Sequence, residues 1–312
     1  DTIVVNKEVT ITGAGKDTTT LNSTATGKAA FSIQANSVTI EDMTINQADT
    51  SNDNTMHVAI AYTGSYASPT VAYSDVTLQN LKFTGGKYSV SVYAEDLTID
   101  SCEFSEQKSS AILLYCVKGD SKITNNMFTQ TSPSGQGFIY GTTASGNDYS
   151  SGTLTISDNT ATAGRCFYHC NNQNYIDTTA KLTLTITGNE ITGYNNKAIV
   201  FAGHSDVDLG SRFNSITIND NAFYTTAARP TIQRDDADTS SLAIDASGNY
   251  WGSATPDFEN LIPGTSDKYL IMPHEGNNIV VESFGTSYAS KNPGATVNGL
   301  LYKVTFVHED GT

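Results

Sequence analysis

Arg234 is followed directly by Asp235 and Asp236, with Asp238 two residues further on. Adjacent carboxylates beside a cation can divide acid and base work, because each perturbs the other's proton affinity. The same three carboxylates, Asp235, Asp236 and Asp238, could supply several oxygens to Ca²⁺. The plain alternative is a solvated, charged loop after a strand. His204 stands upstream in Gly203-His204-Ser205. His57, His274 and His308 are scattered, and no His-x-x-x-His or Cys-x-x-Cys spacing occurs, which argues against a structural zinc site. No phosphate-binding Gly-x-x-x-x-Gly-Lys-Ser/Thr motif is present, and no Ser-His-Asp set can be argued. The expectation is therefore no resident cofactor, with Ca²⁺ at the aspartates as the alternative.

The elements that must hold these residues are strands. The chain has 312 residues, with 17 Lys plus Arg against 32 Asp plus Glu, a net charge of −15. Such a balance leaves no basic surface to release counterions, so neither nucleic acid nor an anionic membrane is an expected partner. Only 16% of residues are charged and 38% are apolar. Thr, Ser, Asn and Gly fill much of the rest, which excludes coiled coils and most helical bundles. Recurrent β-branched and aromatic residues argue against disorder. No apolar run approaches the roughly 18 residues of a membrane span, so no membrane insertion is expected. The chain opens Asp1-Thr2-Ile3 inside a strand with no signal peptide, and so reads as trimmed. Its acidic, Lys-poor make-up suits an extracellular bacterial protein.

The chain repeats itself, which is the strongest signal in it. An apolar-Thr-apolar strand, a polar turn and a further apolar residue appear at 37–45, 75–83 and 96–104. Residues 121–128 form a shifted copy, followed by 153–161, 183–191, 215–223 and a partial copy at 241–249. The anchors Ile40, Leu78, Ile99, Ile123, Ile156, Ile186, Ile218 and Ile244 are spaced by 21 to 38 residues. The shortest spacing suits one bare coil of a parallel β-solenoid, and the longer ones imply loops inserted at a corner. A propeller blade would need about 40 residues, and a leucine-rich repeat would be Leu-dominated. A second strand falls between anchors, at 29–33, 57–62, 89–93, 111–116, 137–140, 166–170, 198–202 and 230–234. Each coil buries its apolar face only by stacking on the next.

Asn126, Asn159, Asn189 and Asn221 share one motif position. Asn tolerates left-handed backbone geometry, and stacked at about 4.8 Å such side chains can form a ladder. Cys102 takes that position one coil earlier and Leu81 one coil before that, so Cys102 reads as a buried thiol. Cys166 and Cys170 lie about 13 Å apart along one strand, beyond disulfide reach. Cys116 and Cys170 are two coils apart, which is also too far. A Cys102–Cys116 bridge stays open, but the leading reading is four buried thiols, with Cys116, Cys166 and Cys170 facing inward.

The segment Thr2-Ile-Val-Val-Asn-Lys-Glu-Val-Thr-Ile-Thr-Gly-Ala-Gly-Lys16 resembles the first coil of the right-handed parallel β-helix, or pectin-lyase-like, superfold. Ser247-Gly-Asn-Tyr-Trp-Gly-Ser-Ala-Thr-Pro256 resembles the closing Asn-Tyr-Trp-Gly motif of bacterial and archaeal adhesin-like β-helix surface proteins. The resemblance implies an all-β fold, a right-handed parallel β-helix over residues 1–256. Residues 257–299 lose the repeat and read as a C-terminal cap or tail. Leu301-Tyr-Lys-Val-Thr-Phe-Val-His-Glu-Asp-Gly-Thr312 looks like the first strand and turn of the internalin-type or mucin-binding-type repeats of Gram-positive surface proteins. That likeness implies a stalk module beginning at 300–312 and a cell-wall-attached protein.

Alternation along the second strand sorts residues by face. Placing Ile112, Leu114 and Cys116 inward sends Leu113, Ile139, Phe167, Val200 and Ile232 outward. Tyr93, Tyr115, His169 and Arg234 follow, and then His204 and Asp236. An apolar stripe edged by aromatic, His, Arg and Asp residues suits a glycan or protein groove. Equally, the tail or an inserted loop could cover it as a second small core. The candidate ligand-binding residues are Tyr93, Tyr115, Phe167, His169, His204, Arg234 and Asp236. In β-helix polygalacturonases an adjacent Asp pair works with Asn-x-Asp, Gly-His-Gly and Arg-x-Lys motifs. Here Gly203-His204-Ser205 precedes the Asp pair and no Arg-x-Lys exists, so that activity does not carry over. Polysaccharide lyases of the superfold offer a second pattern, in which Arg234, Asp235, Asp236 and His204 would be catalytic. The leading expectation is an extracellular module that binds a glycan or host surface protein, a monomeric head on a multi-domain stalk. A lyase or glycoside hydrolase, and a passive spacer, are the alternatives.

Overall fold

The computed structural model describes residues 1–49, 55–65, 68–129, 136–142, 150–172, 181–203, 209–224, 230–234, 241–252, 258–262 and 269–270. Each coil visits three parallel sheets in turn. The first coil runs Ile3–Val5, Val9–Thr12 and Thr20–Ser23 before Ala29–Ile33 starts the next. The first sheet continues through Met56–Ile60, Tyr88–Glu95, Ser110–Lys118, Ile139–Thr142, Tyr168–Asn172, Ile199–Gly203 and Ile232–Arg234. The second runs from Val9–Thr12 to Ile244–Asp245 and Tyr269–Leu270, and the third from Thr20–Ser23 to Ala222–Tyr224. This is a right-handed parallel β-helix. Among the described residues the one antiparallel pair is the hairpin Tyr62–Ser65 with Ser68–Val71, and helix is confined to Leu209–Arg212 and Phe258–Leu261.

The second sheet carries the repeat in register. Ile11, Ile40, Leu78, Ile99, Ile123, Ile156, Ile186, Ile218 and Ile244 pair coil to coil. In Leu182–Thr187 the apolar residues are buried and the threonines between them half-buried. That alternation is what a strand with one packed face requires. In the third sheet Phe83, Phe104 and Phe128 stack with ring centroids 5.0 and 4.9 Å apart.

The turn from second to third sheet is where the Asn ladder forms. Asn126 Nδ2 donates to Asn159 Oδ1 at 2.9 Å, Asn159 to Asn189 at 2.9 Å, and Asn189 to Asn221 at 2.8 Å. Asn221 continues it to Asn249 of the Asn-Tyr-Trp-Gly segment at 3.0 Å. Each amide also donates to a carbonyl of the preceding coil, such as Asn159 to Ile123 at 3.0 Å. The left-handed residue is not the ladder Asn but the one before it: Asn125 (φ 56°), Asp158 (57°), Gly188 (67°), Asp220 (55°) and Gly248 (70°). The two roles separate because the corner needs one residue to turn the chain and another to fill the inside of the turn. Cys102 heads the ladder, its N–H donating to Asn126 Oδ1 at 2.9 Å.

All four cysteines are buried, and none of them forms a disulfide. Cys116 corrects the expected alternation: it pairs with Tyr93, an outward position, while Val117 pairs with Ala94 and joins the core. At the far end Trp251 packs on Phe223 at 5.5 Å and Thr231 N–H donates to the Leu261 carbonyl at 2.6 Å. Ile262 enters the core, so residues 258–262 close that end of the solenoid. The expected strand at 277–284 and the terminal segment 300–312 lie outside the described residues.

Candidate functional site

The outer face of the first sheet is re-aimed by one extra residue. Val92 pairs with Leu114, but Tyr93 pairs with Cys116, leaving Tyr115 as a β-bulge. A bulge bends its strand and redirects a side chain. Here it lays the Tyr115 ring parallel to that of Tyr93, with centroids 4.9 Å apart and planes 14° apart. Tyr93 is buried and Tyr115 half-buried. Leu113 and Cys116 are buried as well, and Ser68–Val71 of the hairpin lies against the Tyr88–Glu95 strand. The outward stripe is thus a covered layer in its first coils.

Further down, Tyr140, His169, Asn171, Ala202 and Gln233 are half-buried, while Val200 is buried. Register places Leu113, Tyr140, His169, Val200 and Gln233 in one outward row, and Thr142, Asn171 and Ala202 in the next. Tyr140 and His169 meet edge to face at 5.2 Å. Asn171 Nδ2 donates to Tyr140 Oη at 2.6 Å, which fixes both side chains. The Gln136 carbonyl accepts from His169 Nδ1 at 3.0 Å, so the ring proton sits there and Nε2 is an acceptor. Burial holds this imidazole below its usual range; the Gln136 bond opposes that, while Arg165 and Lys197 reinforce it. At neutral pH the ring is uncharged.

Two expected site residues face the other way. Phe167 is 0% exposed and meets Phe128 edge-on at 6.0 Å inside the solenoid. Arg234 pairs with inward Phe201, is 3% exposed, and its guanidinium donates to the Leu242 carbonyl. The reason lies at the corner entering the sheet, where two successive residues turn inward: Phe138 with Ile139, Phe167 with Tyr168, Ala198 with Ile199. That doublet shifts the alternation by one, so Ile232 is core and Gln233 faces out. His204, Asp235, Asp236 and Asp238 lie outside the described residues. The structure therefore brings together Tyr93 with Tyr115, and His169 with a neighbour the alternation had placed inside, Tyr140. The corner glycine Gly137, with φ 153° and a Cβ position only 3.3 Å from Cys166 Cβ, marks where the alternation resets.

Behind Tyr115 a cavity of ≈ 30 Å³ is lined by Leu114, Thr142, Tyr168, Cys170, Arg212 and Phe213. That holds a water or two and no sugar. Burial pushes the Cys170 thiol up to about 11 and the Tyr168 phenol well above its ordinary value. Neither group ionises at neutral pH. No set of three or more His, Cys, Asp or Glu placed to hold a metal occurs among the described residues.

Comparison with known proteins bears on the fold. The family described as "Right handed beta helix region" matches residues 71–223. The chain is similar to the catalytic domain of a GH87 alpha-1,3-glucanase variant in complex with tetrasaccharides, at TM-score 0.43 and 13% identity over 89% of this chain and 62% of that one. Variants of the same domain in complex with nigerose match at TM-score 0.40 and 12% identity, with the same coverage. The chain spans about three fifths of the length of these structures. No curated protein matches it.

Proposed function

We propose that this β-helix is an extracellular carbohydrate-binding module of a bacterial surface protein, and that its site is the half-buried stretch of the first sheet's outer face around Tyr140. The observation that carries the reading is the Tyr140–His169–Asn171 group. An aromatic ring, an amide and an uncharged imidazole are locked to one another on adjacent strands. Sugars are bound by such sets, a ring face taking the apolar side of the pyranose and fixed donors and acceptors reading its hydroxyls. Because these side chains sit on paired strands, binding requires little reordering. A monomeric head on a longer surface protein accords with the Asn-Tyr-Trp-Gly close at 249–252.

A glycan panel followed by titration calorimetry tests the proposal. Tyr140→Ala should weaken binding by about 1–3 kcal/mol, the usual cost of removing an aromatic anchor with its hydrogen bond. Its melting temperature should hardly move. A variant that binds every glycan as tightly as the parent would refute the site. Release of reducing sugar or unsaturated product from a bound polysaccharide would replace the binding-module reading with an enzymatic one.

A further inference from the structure

A chain of net charge −15 has carboxylates in excess, and its cations should find them. Lys16 and Lys82 meet Glu103, and Lys122 meets Asp120. Arg165 and Lys197 do not: among the described residues neither side chain has an ion pair or a hydrogen bond. Both sit at the corner entering the first sheet, Arg165 three residues before Tyr168–Asn172 and Lys197 two residues before Ile199–Gly203. The backbone ties these corners together, with Asn196 N–H donating to the Arg165 carbonyl at 3.3 Å and Phe167 N–H to the Ala198 carbonyl at 2.8 Å. The two cations therefore stand on successive coils, one register position apart, Arg165 lying beside Asn196. Residues 136–138, 164–166 and 193–198 of this corner include no Asp or Glu. Like charges on neighbouring strands repel, and no ion pair among the described residues compensates them. Next to them, His169 Nε2 is screened from solvent and has no hydrogen-bond partner.

The geometry points to an anion site at this corner: Arg165 and Lys197 receive the sulfate ester of a sulfated glycan. The inference deepens the carbohydrate-binding reading and rests on it. A sulfate ester suits the arrangement because its three terminal oxygens diverge and can reach cations on two coils. A planar carboxylate directs its two oxygens at a single fork.

The experiment measures binding of dextran sulfate, unsulfated dextran and polygalacturonate in 0.15 M salt, for the parent, Arg165→Gln/Lys197→Gln and the remote control Lys7→Gln. Melting temperature and circular dichroism confirm that each variant is folded. Dextran sulfate should bind the parent, at least tenfold more weakly the double variant, and equally well Lys7→Gln. Sodium sulfate should displace it better than sodium chloride at the same ionic strength. No binding of dextran sulfate, or equal binding by the double variant, overturns the inference. Polygalacturonate bound as tightly as dextran sulfate overturns the choice of sulfate. An unsulfated glycan that depends on Tyr140 but not on Arg165 or Lys197 would sink the anion site and leave the carbohydrate face standing. Failure of every glycan sinks both.

Discussion

Replacing Asn189 by Ala should destabilise the solenoid far more than a buried polar truncation of average effect. Asn189 Oδ1 accepts from the Asn159 N–H at 3.0 Å and from Asn159 Nδ2 at 2.9 Å. Its own Nδ2 donates to the carbonyls of Ile156 and Thr187, each at 3.0 Å, and to Asn221 Oδ1 at 2.8 Å. Alanine leaves the Asn159 backbone N–H without an acceptor and removes one from its amide. It also strips the Ile156 carbonyl of its side-chain donor, all at 1% exposure or less. A buried group left unmatched costs about 1–3 kcal/mol, so the orphaned N–H and carbonyl imply a loss of about 2–6 kcal/mol, the Asn159 amide keeping its bond to Ile123. The near-isosteric Asn189→Asp should be equally damaging at neutral pH. It keeps the acceptor but loses every donor, and places a carboxylate oxygen against Asn221 Oδ1. Urea unfolding followed by far-ultraviolet dichroism measures both. Because stacked repeats can unfold piecemeal, hydrogen exchange at Asn159 and Asn189 amides should accompany it. A loss below about 1 kcal/mol for Asn189→Ala, or an Asp variant as stable as the parent, would refute the claim that the ladder's hydrogen bonds hold this corner.

Two further outcomes follow from buried titratable groups. His57 is fully buried and desolvation lowers its pKa from 6.5 to about 4, against the opposing bonds to Thr84 and Tyr88. Its neutral form is favoured in the fold, so this stability is complete above pH 6.5 and is lost as pH falls from there toward 4. The loss between pH 7 and pH 5 is about 2 kcal/mol, and His57→Gln, compared with the parent by urea unfolding at both values, should lack that increment; identical slopes would remove the assignment. Burial pushes Cys102 up to about 12 and Cys170 to about 11, so thiol reagents should find four thiols in denaturant and almost none in the native protein at pH 8. Fewer than four in denaturant would mean a disulfide.

The second and third sheets were legible because their signals are local and chemically forced. An Asn buried at each corner has to satisfy its amide, and only a stacked neighbour does so, which makes Asn126, Asn159, Asn189 and Asn221 readable as one column. The Ile anchors then fix the register of every coil. The first sheet was not legible to the same degree. Its alternation is reset by inward doublets such as Phe138-Ile139 and broken again by the bulge at Tyr115. Neither leaves a mark in hydrophobic periodicity, since a Phe at a corner and a Phe on a strand look alike. Hence Arg234 and Phe167 were assigned to the wrong face and Tyr140 was overlooked. Arg165 and Lys197 escaped for another reason: residues 32 positions apart become neighbours only when the coils are stacked.

The axial direction of the hydrogen bonds has a mechanical consequence. Every pairing between coils, ladder amides included, points along the solenoid, from one coil to the next. A pull applied to the two ends would load these bonds in tension, so that coils peel away singly instead of shearing together.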